Sequence, residues 1–309
     1  MRTAFIESLC EVAERDERIW LLSGDLGYSV LERFVEKFPQ RFLNVGVAEQ
    51  NMIGIAAGLA MSGHVVFTYS IANFPVMRCL EQIRNDVCSH ALNVKIVAVG
   101  GGLAYGPAGY THHAVEDLAV MRTMPGMTVI APGDPVEARL ATRAIAERPG
   151  ACYLRLGKAG EPVVHEVEPE FRIGEAILMR NGKDATLIST GGMLERAMTA
   201  AKLLSDRGIS AGVLSMHTVK PLDVKAVYDA AKATRLLCVI EEHGEIGGLS
   251  DAVARTLSER QTKCAFIALN ISAGERAAIG SQSYLLDRAG LTSERICKRV
   301  AEELRRLGE

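Results

Sequence analysis

Three stretches of the chain carry side chains that can do chemistry. In "NVGVAEQNMIGIAAGLAMSG" (residues 44–63) one carboxylate, Glu49, opens a segment otherwise rich in Gly, Ala, Ile and Met. In "SIANFPV" (70–76) a phenyl ring, Phe74, follows an apolar run. In "GGGLAYGPAGYTHH" (100–113) a glycine-rich loop ends on His112 and His113. A fourth group, Arg155, stands in "YLRLGK" (153–158). Taken singly, each has an ordinary reading. Glu49 complements the positive end of a helix, a stabilisation of roughly 0.3–1 kcal/mol. Phe74 is a core ring, and Arg155 a salt-bridge partner. A histidine pair lacking cysteine or carboxylate at ligand spacing is a weak metal signal. No GxGxxG follows the first strand and no P-loop lysine occurs, so dinucleotide and ATP binding lack their usual warrant.

The elements that must position these groups follow from apolar runs alternating with helical patterns, as in a parallel sheet flanked by helices. "RIWLLSGD", "RFLNVGV", "HVVFTYS", "VKIVAVGGG", "MTVIAPGD" and "ACYLRLGKAG" read as strands of a first half. A helix is expected through "VMRCLEQIRNDVC", and "DPVEARLATRAIAE" has an Asp-Pro helix start. In a second half "ATLISTGG", "ISAGVLSM", "RLLCVIEEH" and "CAFIALNI" alternate with three more helices. The expected fold class is α/β: two tandem three-layer domains with mostly parallel sheets. The expected boundaries are 1–160, a linker at 161–184 holding a small hairpin, and 185–309. In parallel sheets ligands collect beyond the carboxyl ends of the strands. Glu49, Phe74 and His112 all fall there.

Composition bounds the partners. The chain has 309 residues, 48% hydrophobic and 23% charged, ordinary values for globular domains. A net charge of -2 gives no electrostatic reason to expect nucleic acid or an anionic membrane. Seven cysteines with no CxxC pair argue for a reducing compartment and against a disulfide or zinc framework. The opening "MRTAFIESLCEVAERDERIW" reads as an amphipathic helix, and no apolar run has the length of a membrane span. A cytoplasmic location is expected.

Read together, "NVGVAEQNMIGIAAGLA", "EQIRNDV", "GYTHHAVEDLAVMRTMPGMTVIAPGDPVEA" and "EEHGEIGGL" resemble the C-terminal part of thiamine-diphosphate-dependent transketolases. More closely, the chain resembles the C-terminal subunit of a split transketolase. The resemblance covers nearly the whole chain in order. It implies a pyrimidine-binding domain followed by the transketolase C-terminal domain, acting in two-carbon ketol transfer between a ketose donor and an aldose acceptor.

The resemblance also distributes roles. It gives Glu49 the hydrogen bond to the N1′ nitrogen of the cofactor's aminopyrimidine, the contact that favours the imino tautomer and so prepares thiazolium C2 for deprotonation. That requires a shielded carboxyl, with burial raising its proton affinity against the pull of the helix start. It makes Phe74 the ring stacked on the aminopyrimidine, with Ile71 and Met77 where the family often has further aromatics. Asp25 in "LLSGDLG" lines up with an aspartate near the cofactor and the subunit contact. His112 matches the histidine facing the substrate carbonyl and hydroxyl, and Arg155 an arginine for the sugar phosphate.

Two departures bear on substrate. Where the family commonly has Gly-Glu-Asp-Gly before Thr-His, this loop has Pro107 and Ala108, and glycines replace a second substrate-facing histidine. Hydroxyl recognition is lost while the cofactor-activating acid is kept. The family's diphosphate and Mg²⁺ site needs Gly-Asp-Gly, which does not occur here. The expectation is therefore that thiamine diphosphate and Mg²⁺ are held mainly by a separate N-terminal subunit carrying the diphosphate-binding domain, in an α2β2 assembly. The small residues of 44–63 would then pack at a subunit seam. A 1-deoxyxylulose 5-phosphate synthase-like activity, a 2-oxo acid dehydrogenase β-like subunit and a non-catalytic assembly subunit are the rival readings.

Overall fold

The computed structural model describes residues 1–275 and 278–308. Two sheets organise them. The first contains β1 (Ile19–Ser23), β2 (Phe42–Asn44), β3 (Val65–Ile71), β4 (Val94–Val99), β5 (Thr128–Ile130) and β6 (Cys152–Leu156). The second contains β7 (Ile177–Arg180), β8 (Ala185–Ser189), β9 (Ala211–Ser215), β11 (Leu236–Gly244) and β12 (Ala265–Ile271). A remaining strand, β10 (Thr218–Lys220), comes from the second half of the chain yet joins the first sheet. The orders are β10-β5-β6-β4-β3-β1-β2 and β12-β11-β8-β9-β7. Every pairing is parallel except β10 with β5 and β7 with β9.

The mostly parallel α/β class and the two-sheet organisation are as expected from the alternating pattern. Strands β3, β4, β6 and β8 are apolar or buried along nearly their whole length, because helices cover both faces of the sheet. Helices Arg2–Ala13 and Pro135–Glu147 cover one face of the first sheet, burying Phe5, Ile6, Leu9 and Ile145. Helix Glu49–Met61 covers the other through Met52, Ile53, Ala56 and Ala57. Full burial of a side chain the size of Ile53 contributes about 1.5–3 kcal/mol. This second core continues into Ile188, Leu237, Val239 and Val253 of the second half, so the two sheets share an apolar seam.

Two local expectations are corrected. The stretch 161–184 forms no hairpin of its own; β7 instead adds an antiparallel edge to the second sheet through β9. The helix expected through "VMRCLEQIRNDVC" is broken into Asn73–Met77, Leu80–Gln82 and a widened turn at Ile83–Cys88. The seven cysteines are all free, and six of them are buried, as small hydrophobes usually are. Among the described residues no helix is long and apolar enough to cross a membrane.

Candidate active site

Strand order places the site. The chain leaves β2 at the edge, runs through helix Glu49–Met61, and returns to β3 on the far side of β1. The crevice beyond the carboxyl ends of β1, β3 and β4 lies at this reversal, where open α/β sheets take their ligands. Asp25 follows β1, Ile71 ends β3 and Phe74 follows it, and the loop 100–113 leaves β4. Glu49 is the first residue of the returning helix.

Glu49 is 3% exposed, so its carboxyl is withdrawn from water. A Cβ placed on Gly24 would lie 3.8 Å from Glu49 Cγ, which shows how closely the end of β1 approaches the acid. Arg78, absent from the sequence-derived candidates, donates from Nη1 to Glu49 Oε2 at 2.9 Å. Its Cζ also sits 4.2 Å from the centroid of the Phe74 ring. The carboxyl, the guanidinium and the phenyl face thus form one stack. The other face of this group continues into the loop: the Phe74 and His112 rings meet edge-on with centroids 5.2 Å apart. His112 Nδ1 lies 3.0 Å from Thr111 Oγ1, and Asn73 Nδ2 donates to the Thr111 carbonyl at 2.7 Å. An antiparallel bridge between Gly102 and Ala114 closes the loop at its base. His113 is buried beside the Gly106 carbonyl, pointing away from the half-exposed His112.

Asp25 has a positive φ of 58° and is exposed. It is held by Asn44 Nδ2 at 3.0 Å and Tyr28 Oη at 3.1 Å, on the rim rather than against Glu49. Met77 is 41% exposed, and Ile71 is half-buried at the end of β3.

Arg155 lies elsewhere than the sequence suggested. It is 5% exposed; Nε donates to Asp117 Oδ2 at 2.8 Å, and Nη2 donates to the carbonyls of Ala114 and Glu242 at 2.8 and 2.9 Å. Its guanidinium lies flat against Gly101, where any Cβ would collide with it. Burial works against its charge, yet Asp117, Tyr153 and Glu242 hold its pKa above the ordinary value. Three of its donor contacts bind the fold across the seam between the two sheets, so its geometry is that of a structural cation.

The cations facing the loop are two others. Lys158 Nζ lies 4.7 Å above the Tyr105 ring, and the Tyr105 ring centroid is 6.3 Å from that of His112. Arg2 is felt at both Tyr69 and Tyr105, opposing the upward push that burial exerts on each hydroxyl; Tyr69 still reaches about 12. Arg2 Nε is itself buried without a hydrogen-bond partner among the described residues. A single line therefore runs from the acid Glu49, past Phe74 and His112, to Tyr105 and two cations. Neither cation was visible in the motifs, because Arg2 and Lys158 are 156 positions apart and meet only through β6 and the first helix.

The donor set fits an aminopyrimidine: a shielded carboxyl for a ring N–H, an aromatic face, and aliphatic walls at Ile71 and Met77. It does not extend to a diphosphate with its metal. Among the described residues no group of three or more His, Cys, Asp or Glu side chains could hold a metal ion.

Sequence comparison matches residues 1–160 to the family description "Transketolase, pyrimidine binding domain" and residues 174–296 to "Transketolase, C-terminal domain". The chain belongs to the transketolase family. One of the two subunits of the apulose-4-phosphate transketolase of Phocaeicola vulgatus is 38% identical over 303 residues, 97% of this chain and 96% of that protein. The 6-deoxy-6-sulfo-D-fructose transketolase subunit SqwH of a Clostridium species is also 38% identical, over 304 residues, 98% of this chain and 94% of that one. A solved structure described as a split gene transketolase, inactive beta4 tetramer, superposes with a TM-score of 0.91 at 36% identity, covering 98% of this chain and 97% of that chain. Similarity to transketolase subunits of matching length agrees with the expected resemblance to a split transketolase, and thiamine diphosphate is the cofactor this family implies.

Proposed function

We propose that this transketolase-family chain is the pyrimidine-holding half of a split enzyme that moves a two-carbon ketol unit from a ketose to an aldehyde. The observation that carries the reading is the buried Glu49 carboxyl facing a planar cation stacked on Phe74. Thiamine diphosphate, when bound, supplies the electron sink for breaking a carbon–carbon bond beside a carbonyl. Glu49 would hold the proton shared with the aminopyrimidine N1′, while Phe74 stacks on the ring and Ile71 and Met77 exclude water from its edges. His112, at the mouth of the loop and in edge contact with Phe74, would donate to the substrate oxygen and carry its proton near neutral pH. Asp25 stands on the rim, at the seam with a second subunit. Lys158 and Arg2, rather than Arg155, would take the anionic end of the substrate.

A separate subunit with the diphosphate-binding domain would supply the remaining ligands and the Mg²⁺ that bridges the phosphates. Two things support this: the sequence lacks Gly-Asp-Gly, and a similar chain of matching length is described as an inactive β4 tetramer. An α2β2 assembly is the symmetric arrangement expected.

The substrate differs from ordinary pentose phosphates in this reading. Pro107 and Ala108 are exposed and offer no side-chain hydrogen bond where the family commonly has an acid. Two relatives of equal identity are named for different substrates, apulose 4-phosphate and 6-deoxy-6-sulfo-D-fructose. Assay of the reconstituted complex with xylulose 5-phosphate and ribose 5-phosphate tests the point: slow turnover is expected, and full ordinary turnover rejects it. Glu49→Gln in the same complex tests the catalytic assignment; activity is expected to fall at least about 100-fold, and unchanged activity returns the chain to a non-catalytic assembly role.

A further inference from the structure

Arg78 occupies the slot where Glu49 and Phe74 meet. Its Nη1 is 2.9 Å from Glu49 Oε2, and its Cζ is 4.2 Å from the Phe74 centroid. A guanidinium and a protonated aminopyrimidine share the features such a slot reads. Both are planar and cationic, present N–H groups along an edge, and lie flat on an aromatic face. The two side chains proposed to hold the ring are the two that hold Arg78.

The anchoring of Arg78 is one-sided. Glu49 is nearly buried, whereas the Arg78 side chain is 49% exposed at the end of a flexible stem. Its backbone is fixed, because Gln50 Nε2 donates to the Arg78 carbonyl at 2.9 Å. The head can therefore swing while the chain stays in place. Outward lies an open cavity of about 450 Å³, lined by Val47, Ala48, Gln50 and Asn51 as well as the ion pair itself.

We propose that Arg78 is an internal stand-in for the aminopyrimidine ring. It closes the pocket of the unassembled chain and swings out as the ring enters; this rests on the reading of Glu49 and Phe74 given above. Without Arg78, Glu49 would be a buried carboxylate with no partner, a costly arrangement. With it, the chain keeps a satisfied pocket that does not take up the ring by itself. Entry of the ring exchanges one planar partner of Glu49 and Phe74 for another, and the contacts of the diphosphate-binding subunit tip the exchange.

Isothermal titration calorimetry of the full-length chain with thiamine, which carries the aminopyrimidine without the diphosphate, tests the stand-in. Arg78→Ala is expected to bind thiamine at least about tenfold tighter than the wild type, since each tenfold corresponds to about 1.4 kcal/mol of competition removed. Adding Glu49→Gln to Arg78→Ala is expected to abolish the gain. Weaker, equal or undetectable binding by Arg78→Ala overturns the stand-in, Arg78 then being a wall of the pocket. Binding by the double variant as tight as by Arg78→Ala upholds the stand-in and overturns Glu49 as the acid that reads the ring. If circular dichroism shows the alanine variant unfolded, Arg78→Gln, too short to bridge Glu49 and Phe74, takes its place with the same expected outcomes.

Discussion

Glu49, Arg155 and Lys158 show how residue type and residue task separate. Glu49 sits at the start of an apolar helix and is nearly buried, which suits a carboxyl meant to share a proton. Arg155 has the side chain expected of a phosphate ligand but a buried ion pair with Asp117. Removing one partner of such a pair leaves the other charge buried alone and costs about 3–5 kcal/mol. Arg155→Ala should therefore lower the melting temperature by many degrees in a thermal scan. Lys158→Ala should leave the melting temperature unchanged and raise KM for a phosphorylated substrate about tenfold, roughly the worth of one charge-assisted contact. If Lys158→Ala leaves KM unaltered, the anionic end of the substrate lies elsewhere. Glu49, Phe74 and His112 were legible in the sequence as motif residues. Arg78 was not, because its partner Glu49 lies 29 positions away and no local pattern announces the pair.

At the scale of elements, helix Pro135–Glu147 ties the first sheet to the second. Asp134 caps it, accepting from Glu137 N at 2.8 Å, and also accepts from the amides of Val164 and His165 and from His165 Nδ1. Glu137 turns inward to Ser215 Oγ on β9 at 2.7 Å, and His165 Nε2 stands 3.6 Å from it. Burial pushes Asp134 up, but these hydrogen bonds more than offset it and leave its pKa at about 2. Burial raises Glu137 to about 7, against the pull of the Gly133 amide and the Ser215 hydroxyl. For His165 burial lowers the pKa, and the bond to Asp134 with the charges of both acids raises it beyond the ordinary value. The signs follow from linkage. Asp134 stabilises the fold above the unfolded carboxyl range and loses that contribution as pH falls towards about 2. Glu137 keeps a proton that the unfolded chain releases, so stability declines as pH rises from 4.5 to about 7. His165 adds to this decline as pH rises through its own raised value. Glu137→Gln should flatten the fall in melting temperature across that window; an unchanged slope would show that Glu137 is not the titrating group. The Asp-Pro start made this helix readable. The strand β10 was not readable, since three residues show no periodicity and its antiparallel partner β5 lies in the other half of the chain.

The whole molecule presents an unfinished face. Val47 is 73% exposed and Met61 64% exposed at the two ends of helix Glu49–Met61, with Gly54 and Gly58 between them. A Cβ added at either glycine meets nothing within 4 Å. The fold does not need these glycines for its own packing, whereas close approach of another subunit would. Gly58→Leu should leave the melting temperature of the isolated chain within about 0.5 kcal/mol of stability while abolishing assembly in light scattering. Assembly that survives places the seam on another face. The two-sheet architecture was legible because buried parallel strands are apolar along their length. The missing half of the site was legible too, as a motif the sequence lacks. What pattern could not give was the pairing across the seam between the sheets, where Arg155, Asp117 and Glu242 meet from distant parts of the chain.

The central claim is that this chain holds one half of a thiamine diphosphate site and that Glu49 works only when the other half arrives. Mixing the purified chain with a diphosphate-binding partner subunit, then following ketol transfer as thiamine diphosphate is added, tests it directly. The account predicts no turnover from either subunit alone, cofactor-dependent turnover on mixing, and loss of that turnover when the mixed chain carries Glu49→Gln. Turnover by the isolated chain, or a Glu49→Gln complex as active as the wild type, would contradict it.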